Sequence, residues 1–150
     1  MYQHALQIVC IIFCLSLGMV SGLLNSETNM AWYETLNRPS FSPPNWVFGP
    51  VWTTLYILIG ITLSDVIRSK NKSLIFIYIL QLICNAIWTL LFFELKRIDL
   101  AALDLLILCI LVAIFLFKTK YSRMFYLTIP YFLWISFAYV INLYIYMHNQ

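Results

Sequence analysis

The side chains of this sequence that could do chemistry are mainly aromatic rings and amides, and they recur at helical spacing inside apolar segments. Trp52 and Tyr56 are four residues apart and therefore share one face of a helix. Gln81, Asn85 and Trp88 follow the same periodicity. Because an unpaired amide is costly in an apolar environment, this second face contacts protein or a polar ligand. A hydrogen bond between helices and the lining of a cavity are both open interpretations.

A third set of aromatic residues lies near the C-terminus. Tyr131, Trp134, Ala138 and Ile141 follow one another at steps of three or four residues, and the small Ala138 leaves space within the stripe. Simple packing would produce the same pattern. The sequence contains no nucleophile–base pair, metal-ligand cluster or phosphate-binding loop, so it does not support conventional hydrolysis or group transfer.

The composition places these residues in a membrane protein. Of 150 residues, 63% are hydrophobic and 10% are charged, against roughly 45–50% and about 25% in soluble domains. A soluble fold of this size could not bury so much apolar surface, so its solvent is the lipid bilayer. The net charge of +3 is too small and too dispersed to indicate nucleic-acid binding. The cysteines are predicted to be small buried hydrophobes, with no disulfide and no metal site: Cys10, Cys14, Cys84 and Cys109.

Five apolar segments approach the ~20 residues that a membrane-spanning helix needs. They predict an all-α membrane protein with one domain, a five-transmembrane-helix bundle, with spans at about 4–24, 47–67, 74–93, 100–117 and 124–147. A signal peptide is an alternative for the first segment, because Val20, Ser21 and Gly22 resemble a cleavage site, although no Lys or Arg precedes them. Gly18 and Gly22 form a GxxxG pair that lets a helix of the same chain or of a second subunit approach closely.

The connection between the first two spans, from Trp32 to Tyr56, is both proline-rich and aromatic. Its four prolines disfavour an unbroken helix, and the second span is predicted to begin near Pro50. A segment that is stiff and aromatic should pack on its neighbours, so we interpret it as a lid over a cavity between helices. The alternative is an interfacial plug whose Trp and Tyr side chains anchor the chain at headgroup level.

Two residues inside the later spans are unusual for lipid. Asp104 is a carboxylate about one turn inside the fourth span, which is a functional-site hypothesis by default. We favour a structural role, since Asp104 could pair with Lys96 or Arg97 near the interface. Pro130 is predicted to kink or locally break the fifth span.

The distribution of basic residues predicts the topology. Six lie on the side that carries the N-terminus and three on the opposite side. The N-terminus is therefore expected inside, with the C-terminus and the lid outside. The two sets are Arg68, Lys70, Lys72, Lys118, Lys120 and Arg123 inside, and Arg38, Lys96 and Arg97 outside.

Several sequence blocks, in order along the chain, resemble the TspO/MBR family, which includes mitochondrial translocator proteins (peripheral benzodiazepine receptors) and bacterial tryptophan-rich sensory proteins. The blocks are WY at 32–33, PSFSPP at 39–44, PVW at 50–52 with LY at 55–56, NAIWT at 85–89 with FF at 92–93, LDL at 103–105, and PYFLW at 130–134 with FA at 137–138. The resemblance covers nearly the whole chain.

The resemblance implies a five-helix bundle, often a homodimer, whose pocket is closed by the loop between the first two helices. It implies porphyrin ligands such as protoporphyrin IX and haem, sterols in mitochondrial members, and synthetic isoquinoline carboxamides and benzodiazepines, with no cofactor required. Carried over residue by residue, the ligand-binding set is Tyr33, Pro43, Trp52, Tyr56, Asn85, Trp88, Trp134 and Ala138.

A receptor or sensor for a flat apolar ligand is the function that the resemblance favours. One alternative is an enzyme that degrades porphyrin in light and oxygen through Trp52 and Trp134. The other is a transporter of tetrapyrroles or sterols, although no inverted repeat is detectable. No Lys or Arg follows Tyr144 and Tyr146, so the sterol-recognition pattern is incomplete. This favours a bacterial member in the cell membrane over a protein of the mitochondrial outer membrane.

Overall fold

The computed structural model describes residues 2–23 and 27–149, and the regular secondary structure of these residues is helical, without any strand. Five of the helices are long and apolar enough to cross a membrane, which confirms the predicted all-α, five-transmembrane-helix bundle. Leu24, the last residue of the first predicted span, lies outside the described residues. The helices are α1 (Tyr2–Leu23), α2 (Glu27–Thr35), α3 (Asn45–Ser69), α4 (Lys72–Thr89), α5 (Ile98–Lys118) and α6 (Arg123–His148), and a π-helical turn (Leu90–Glu94) extends α4.

The bundle has an apolar interior and an apolar outer surface. α1 packs on α3, α3 on α6, α6 on α5, and α5 on α4. Large side chains such as Leu108, Phe115 and Ile135 are fully buried between these helices. Others, such as Phe76 and Leu133, are exposed on the outside of the bundle. An apolar exterior of this kind is what a protein dissolved in lipid requires.

Glycines allow α1 and α3 to approach each other closely. A Cβ atom on Gly60 of α3 would lie 2.5 Å from the Cα atom of Ile11. A Cβ atom on Gly18 of α1 would lie 2.5 Å from the ring of Tyr56, whereas one on Gly22 would meet nothing within 4 Å. Within the GxxxG pair, Gly18 therefore accommodates a helix of the same chain, and Gly22 does not.

The connection between α1 and α3 is more helical than its prolines predict. α2 ends at Thr35, before Pro39, so no proline interrupts it. α3 begins at Asn45 and continues through Pro50, so the predicted start near Pro50 was wrong. Pro50 removes only one hydrogen bond, to the carbonyl of Trp46 near the exposed start of the helix, and the helix tolerates this loss.

Two features later in the chain, Pro130 and the turn after α4, differ in their effect on the helices. α6 runs from Arg123 to His148 through Pro130, so the helix is not broken there. The turn after α4 widens instead, and the N–H of Leu95 bonds to the carbonyl of Leu90. Phe92 and Phe93, both in this turn, are buried. The turn therefore presents two adjacent aromatic rings to the interior, where α2 contacts them.

Candidate functional site

Helix α2, whose last four residues belong to the segment interpreted as a lid, folds back onto the π-helical turn. The ring of Tyr33 is buried, with its centroid 6.0 Å from those of both Phe92 and Phe93. The amide of Asn29 donates a hydrogen bond of 2.9 Å to the carboxylate of Glu94. Inclined ring contacts, with interplanar angles of 64° and 57°, and one polar hydrogen bond thus hold α2 in place.

Not all aromatic residues of the connection belong to this lid. Trp46 is 75% exposed and Phe41 is 54% exposed, although the ring of Phe41 also contacts that of Phe137 on α6, with centroids 6.2 Å apart. Exposed aromatic side chains near the ends of spanning helices suit the headgroup region of a membrane. The interfacial-anchor interpretation therefore applies to these two residues, and the lid interpretation applies to α2.

A mostly apolar cavity of about 210 Å³ lies beneath α2 and is referred to below as the lid cavity. Aromatic rings from α2, α3, α4 and the π-helical turn contribute to its walls, and α6 closes it with smaller side chains. Of the eight residues predicted to bind ligand, Tyr33, Trp52, Trp88 and Ala138 line it. The complete lining is Met30, Tyr33, Asn45, Phe48, Gly49, Trp52, Trp88, Phe92, Phe93, Ala138, Ile141, Asn142 and Ile145.

A second cavity of about 400 Å³ adjoins the lid cavity on the side of α1. Tyr56 and Asn85, also predicted to bind ligand, line this second cavity, together with residues of α1 such as Gly18. Trp52 and Trp88 line both cavities. The two indoles therefore form part of the wall that separates them.

The structure does not bring Trp134 and Pro43 into either cavity. Trp134 lines an outer groove with Pro50 and Pro130, and its indole packs edge to face against that of Trp52, with centroids 6.4 Å apart. Pro43 lies in the loop between α2 and α3, where it lines a separate, polar cavity. The ligand-binding role of all eight residues remains a prediction.

The amide of Asn85 forms hydrogen bonds between helices, as one of the two interpretations expected. The hydroxyl of Tyr56 on α3 donates to Asn85 Oδ1 at 2.7 Å. Asn85 Nδ2 in turn donates to the hydroxyl of Tyr131 on α6 at 3.0 Å. All three residues are buried. These two bonds use one lone pair of Oδ1 and one N–H of Nδ2, so the amide keeps one acceptor and one donor position for a ligand in the second cavity.

Asn142 is a site residue that the sequence reasoning missed. The indole N–H of Trp88 donates to Asn142 Oδ1 at 3.0 Å, and Asn142 Nδ2 donates to the carbonyl of Ile98 at 3.0 Å. These bonds fix the orientation of the Trp88 ring, on which Phe92 stacks with centroids 5.4 Å apart. Both Asn142 and Phe92 lie four residues beyond a predicted site residue, so extending the two stripes would have found them.

Asp104 lines none of these cavities. It is buried on α5, and no ion pair involves it among the residues that the structure describes. Arg97 pairs with Asp99 instead, at 2.7 Å, so the suggested pairing of Asp104 with Arg97 is not formed. The carboxylate is therefore separate from the candidate site.

Comparison with known proteins agrees with this architecture. The model of the TspO/MBR family matches residues 10–147. The chain is 34% identical to the tryptophan-rich protein TspO of Archaeoglobus fulgidus, with 95% of each chain covered. It is 33% identical to the tryptophan-rich sensory protein of Cereibacter sphaeroides (74% of this chain, 72% of that one) and 30% identical to the human translocator protein (81% and 76%). The chain belongs to the TspO/MBR family.

Proposed function

We propose that this protein is a membrane receptor or sensor that binds a porphyrin, such as protoporphyrin IX or haem, beneath α2. The observation that carries the proposal is a cavity covered by a helix and faced by the rings of Tyr33, Trp52, Trp88 and Phe92. Flat apolar macrocycles stack on such rings, and ligand sites are typically apolar with few polar groups. Relatives named as a sensory protein and as a translocator protein support a role in sensing at a membrane.

The size of the cavities sets a condition on binding. Sites for drug-sized ligands occupy roughly 300–1,000 Å³, whereas the lid cavity has about 210 Å³ and its neighbour about 400 Å³. A tetrapyrrole therefore needs both volumes. We expect the macrocycle to extend across them, with Trp52 or Trp88 turning aside, so that the ligand contacts at least one indole directly.

Tryptophan fluorescence tests this proposal. Purified protein in nanodiscs of neutral lipid is titrated with protoporphyrin IX while the indole emission is followed. The expected result is saturable quenching with one site per chain. Quenching that rises without saturation, as in collisional contact with free porphyrin in lipid, would refute the proposal.

Porphyrin degradation is a second candidate function. The observation that favours it is the edge-to-face contact of Trp52 with Trp134, which extends an aromatic path from the lid cavity to the outer groove. The test is illumination of the bound porphyrin in the presence of oxygen. Loss of porphyrin absorbance that is faster than in the Trp52→Phe, Trp134→Phe double variant supports the enzyme, and equal rates exclude it.

We further propose that the chain is a homodimer in the cell membrane of a bacterium, with its N-terminus inside. The family resemblance supports the homodimer, and the excess of basic residues on one side supports the orientation. Size measurement of the protein in nanodiscs tests the homodimer, which a monomeric mass would exclude.

A further inference from the structure

The loop between α2 and α3 lines a polar cavity of about 600 Å³ that is open to the surface and distinct from the lid cavity. Arg38 and Asn37 bring polar side chains to it from one end of the loop, and Ser42 and Asn45 from the other. Its full lining is Leu36, Asn37, Arg38, Pro39, Ser42, Pro43, Pro44 and Asn45. This polar cavity differs in chemistry from the apolar lid cavity.

The polar cavity and the lid cavity are neighbours. Asn45 belongs to the lining of both. The guanidinium of Arg38 lies over the ring of Tyr33, 4.7 Å from its centroid, and Tyr33 lines the lid cavity. A ligand with an apolar body and a polar end could therefore place one part in each cavity.

The polar cavity holds a guanidinium that no described carboxylate pairs with, beside amide and hydroxyl groups that can donate or accept hydrogen bonds, and Asn45 Oδ1 is a buried acceptor without a partner among the described residues. The ion pairs formed by described side chains involve Arg68, Arg97 and Arg123, and none involves Arg38. The hydroxyl oxygen of Ser42 is buried and has no hydrogen-bond partner among the described residues. The carboxylate of Glu34 accepts a hydrogen bond from Asn45 Nδ2, in the cavity lining, at 3.2 Å and forms no ion pair with Arg38.

The start of α3 adds to the same electrostatic character. Pro44 and Asn45, at the amino end of this helix, line the polar cavity. No side chain caps this end, and no acidic residue lies in the first turn. The amino end of a helix carries partial positive charge, which favours an anion nearby. The guanidinium of Arg38 would supply a full positive charge to an anion in the same cavity.

We propose that the polar cavity is a carboxylate subsite, which binds the acidic groups of an amphiphilic ligand whose ring system extends across the lid cavity and the neighbouring cavity beside α1. Arg38 forms the ion pair, because its planar guanidinium matches a carboxylate in two parallel hydrogen bonds. Ser42 donates a further hydrogen bond. The inference rests on the proposed function and narrows it to flat ligands with carboxylate side chains, such as dicarboxylic porphyrins.

Protoporphyrin IX and its dimethyl ester separate this proposal from general stacking. Both have the same macrocycle, but only the diacid carries carboxylates. In neutral-lipid nanodiscs, wild-type protein is expected to bind the diacid about ten- to a hundredfold more tightly than the ester. Arg38→Gln is expected to reduce the affinity for the diacid to that for the ester, and to leave the affinity for the ester unchanged.

Lys96→Gln is the matched control. The ammonium of Lys96 also lies over a ring of α2, 5.4 Å from the centroid of Trp32, but Lys96 lines neither cavity. This variant removes the same charge from the same region and is expected to retain the preference for the diacid. If Lys96→Gln also loses the preference for the diacid, that preference comes from general surface charge, and the subsite proposal is overturned.

Two further results would overturn the proposal in different ways. If Arg38→Gln weakens both ligands equally, Arg38 only supports the packing of Tyr33, and the subsite is wrong while porphyrin binding stands. If wild-type protein binds neither ligand saturably, the proposed function fails and the subsite fails with it.

Discussion

Trp52 and Trp134 pack edge to face, with an interplanar angle of 88°, yet only Trp52 lines the lid cavity. Trp134 lies behind it, between the rings of Phe48 and Phe137, whose centroids are both 5.9 Å from its own. The family resemblance implies equal roles for the two tryptophans. In this arrangement Trp52 can touch a ligand directly, whereas Trp134 supports Trp52 from outside.

Trp52→Phe is therefore expected to weaken protoporphyrin IX binding more than Trp134→Phe. Loss of one indole stacking contact corresponds to about two- to tenfold in affinity, and the supporting residue should have a smaller effect. Porphyrin absorbance titration measures both. Trp46→Phe is the control, since Trp46 is exposed and lines neither the lid cavity nor its neighbour. A larger loss in Trp134→Phe than in Trp52→Phe would contradict this assignment.

Asn85→Leu is expected to destabilise the ligand-free protein by about 1–3 kcal/mol, because the hydroxyls of Tyr56 and Tyr131 lose their buried partner. Denaturation of the bundle in a detergent titration measures the change. Ser16→Ala is the control, since the Ser16 hydroxyl bonds only to a carbonyl of its own helix and is exposed. Unchanged stability in Asn85→Leu would show that the amide has no structural role.

Gly18→Ala and Gly22→Ala form a matched pair on α1. The new methyl group at Gly18 would overlap the ring of Tyr56, which is held by Asn85, and overpacking of this kind costs about 1–3 kcal/mol. At Gly22 the methyl group meets no neighbour, so stability should be unchanged or slightly higher. The same detergent titration compares the two variants. Equal destabilisation would indicate that Gly22 contacts a second subunit.

The proposed orientation is tested by labelling single engineered cysteines in intact cells with a membrane-impermeant maleimide. Lys96→Cys, in the turn before α5, should be labelled from outside. Lys72→Cys, at the start of α4, should be labelled only after the cells are permeabilised. Both positions are exposed, so their accessibility depends on the side of the membrane. If Lys72→Cys were labelled from outside and Lys96→Cys only after permeabilisation, the topology would be the opposite of the proposed one.

Periodicity in the sequence predicted much of the site because the residues concerned lie on helices whose phase is fixed. Asn85 with Trp88, and Trp52 with Tyr56, face the interior as their spacing requires. Apolar length likewise predicted the five spanning helices. These features depend on local geometry, which the sequence contains.

Tertiary contacts account for what could not be predicted. Met30 reaches the lid cavity only because α2 folds back onto the π-helical turn. Asn45 reaches the lid cavity because α3 begins before Pro50, whereas the prolines predicted that the helix begins near Pro50. Pro43 was assigned to the pocket by resemblance, but the loop path places it in the polar cavity. In each case the position depends on how separate elements pack.

The central claim is that a ligand occupies the space beneath α2, and filling that space tests it most directly. Ala138→Phe places a ring in the lid cavity, whereas Ala113→Phe adds the same ring to an exposed position on α5. In the fluorescence titration with protoporphyrin IX, Ala138→Phe should weaken saturable binding at least about tenfold, and Ala113→Phe should bind as the wild type does. Wild-type affinity in a folded Ala138→Phe protein would show that the ligand binds elsewhere and would contradict the account.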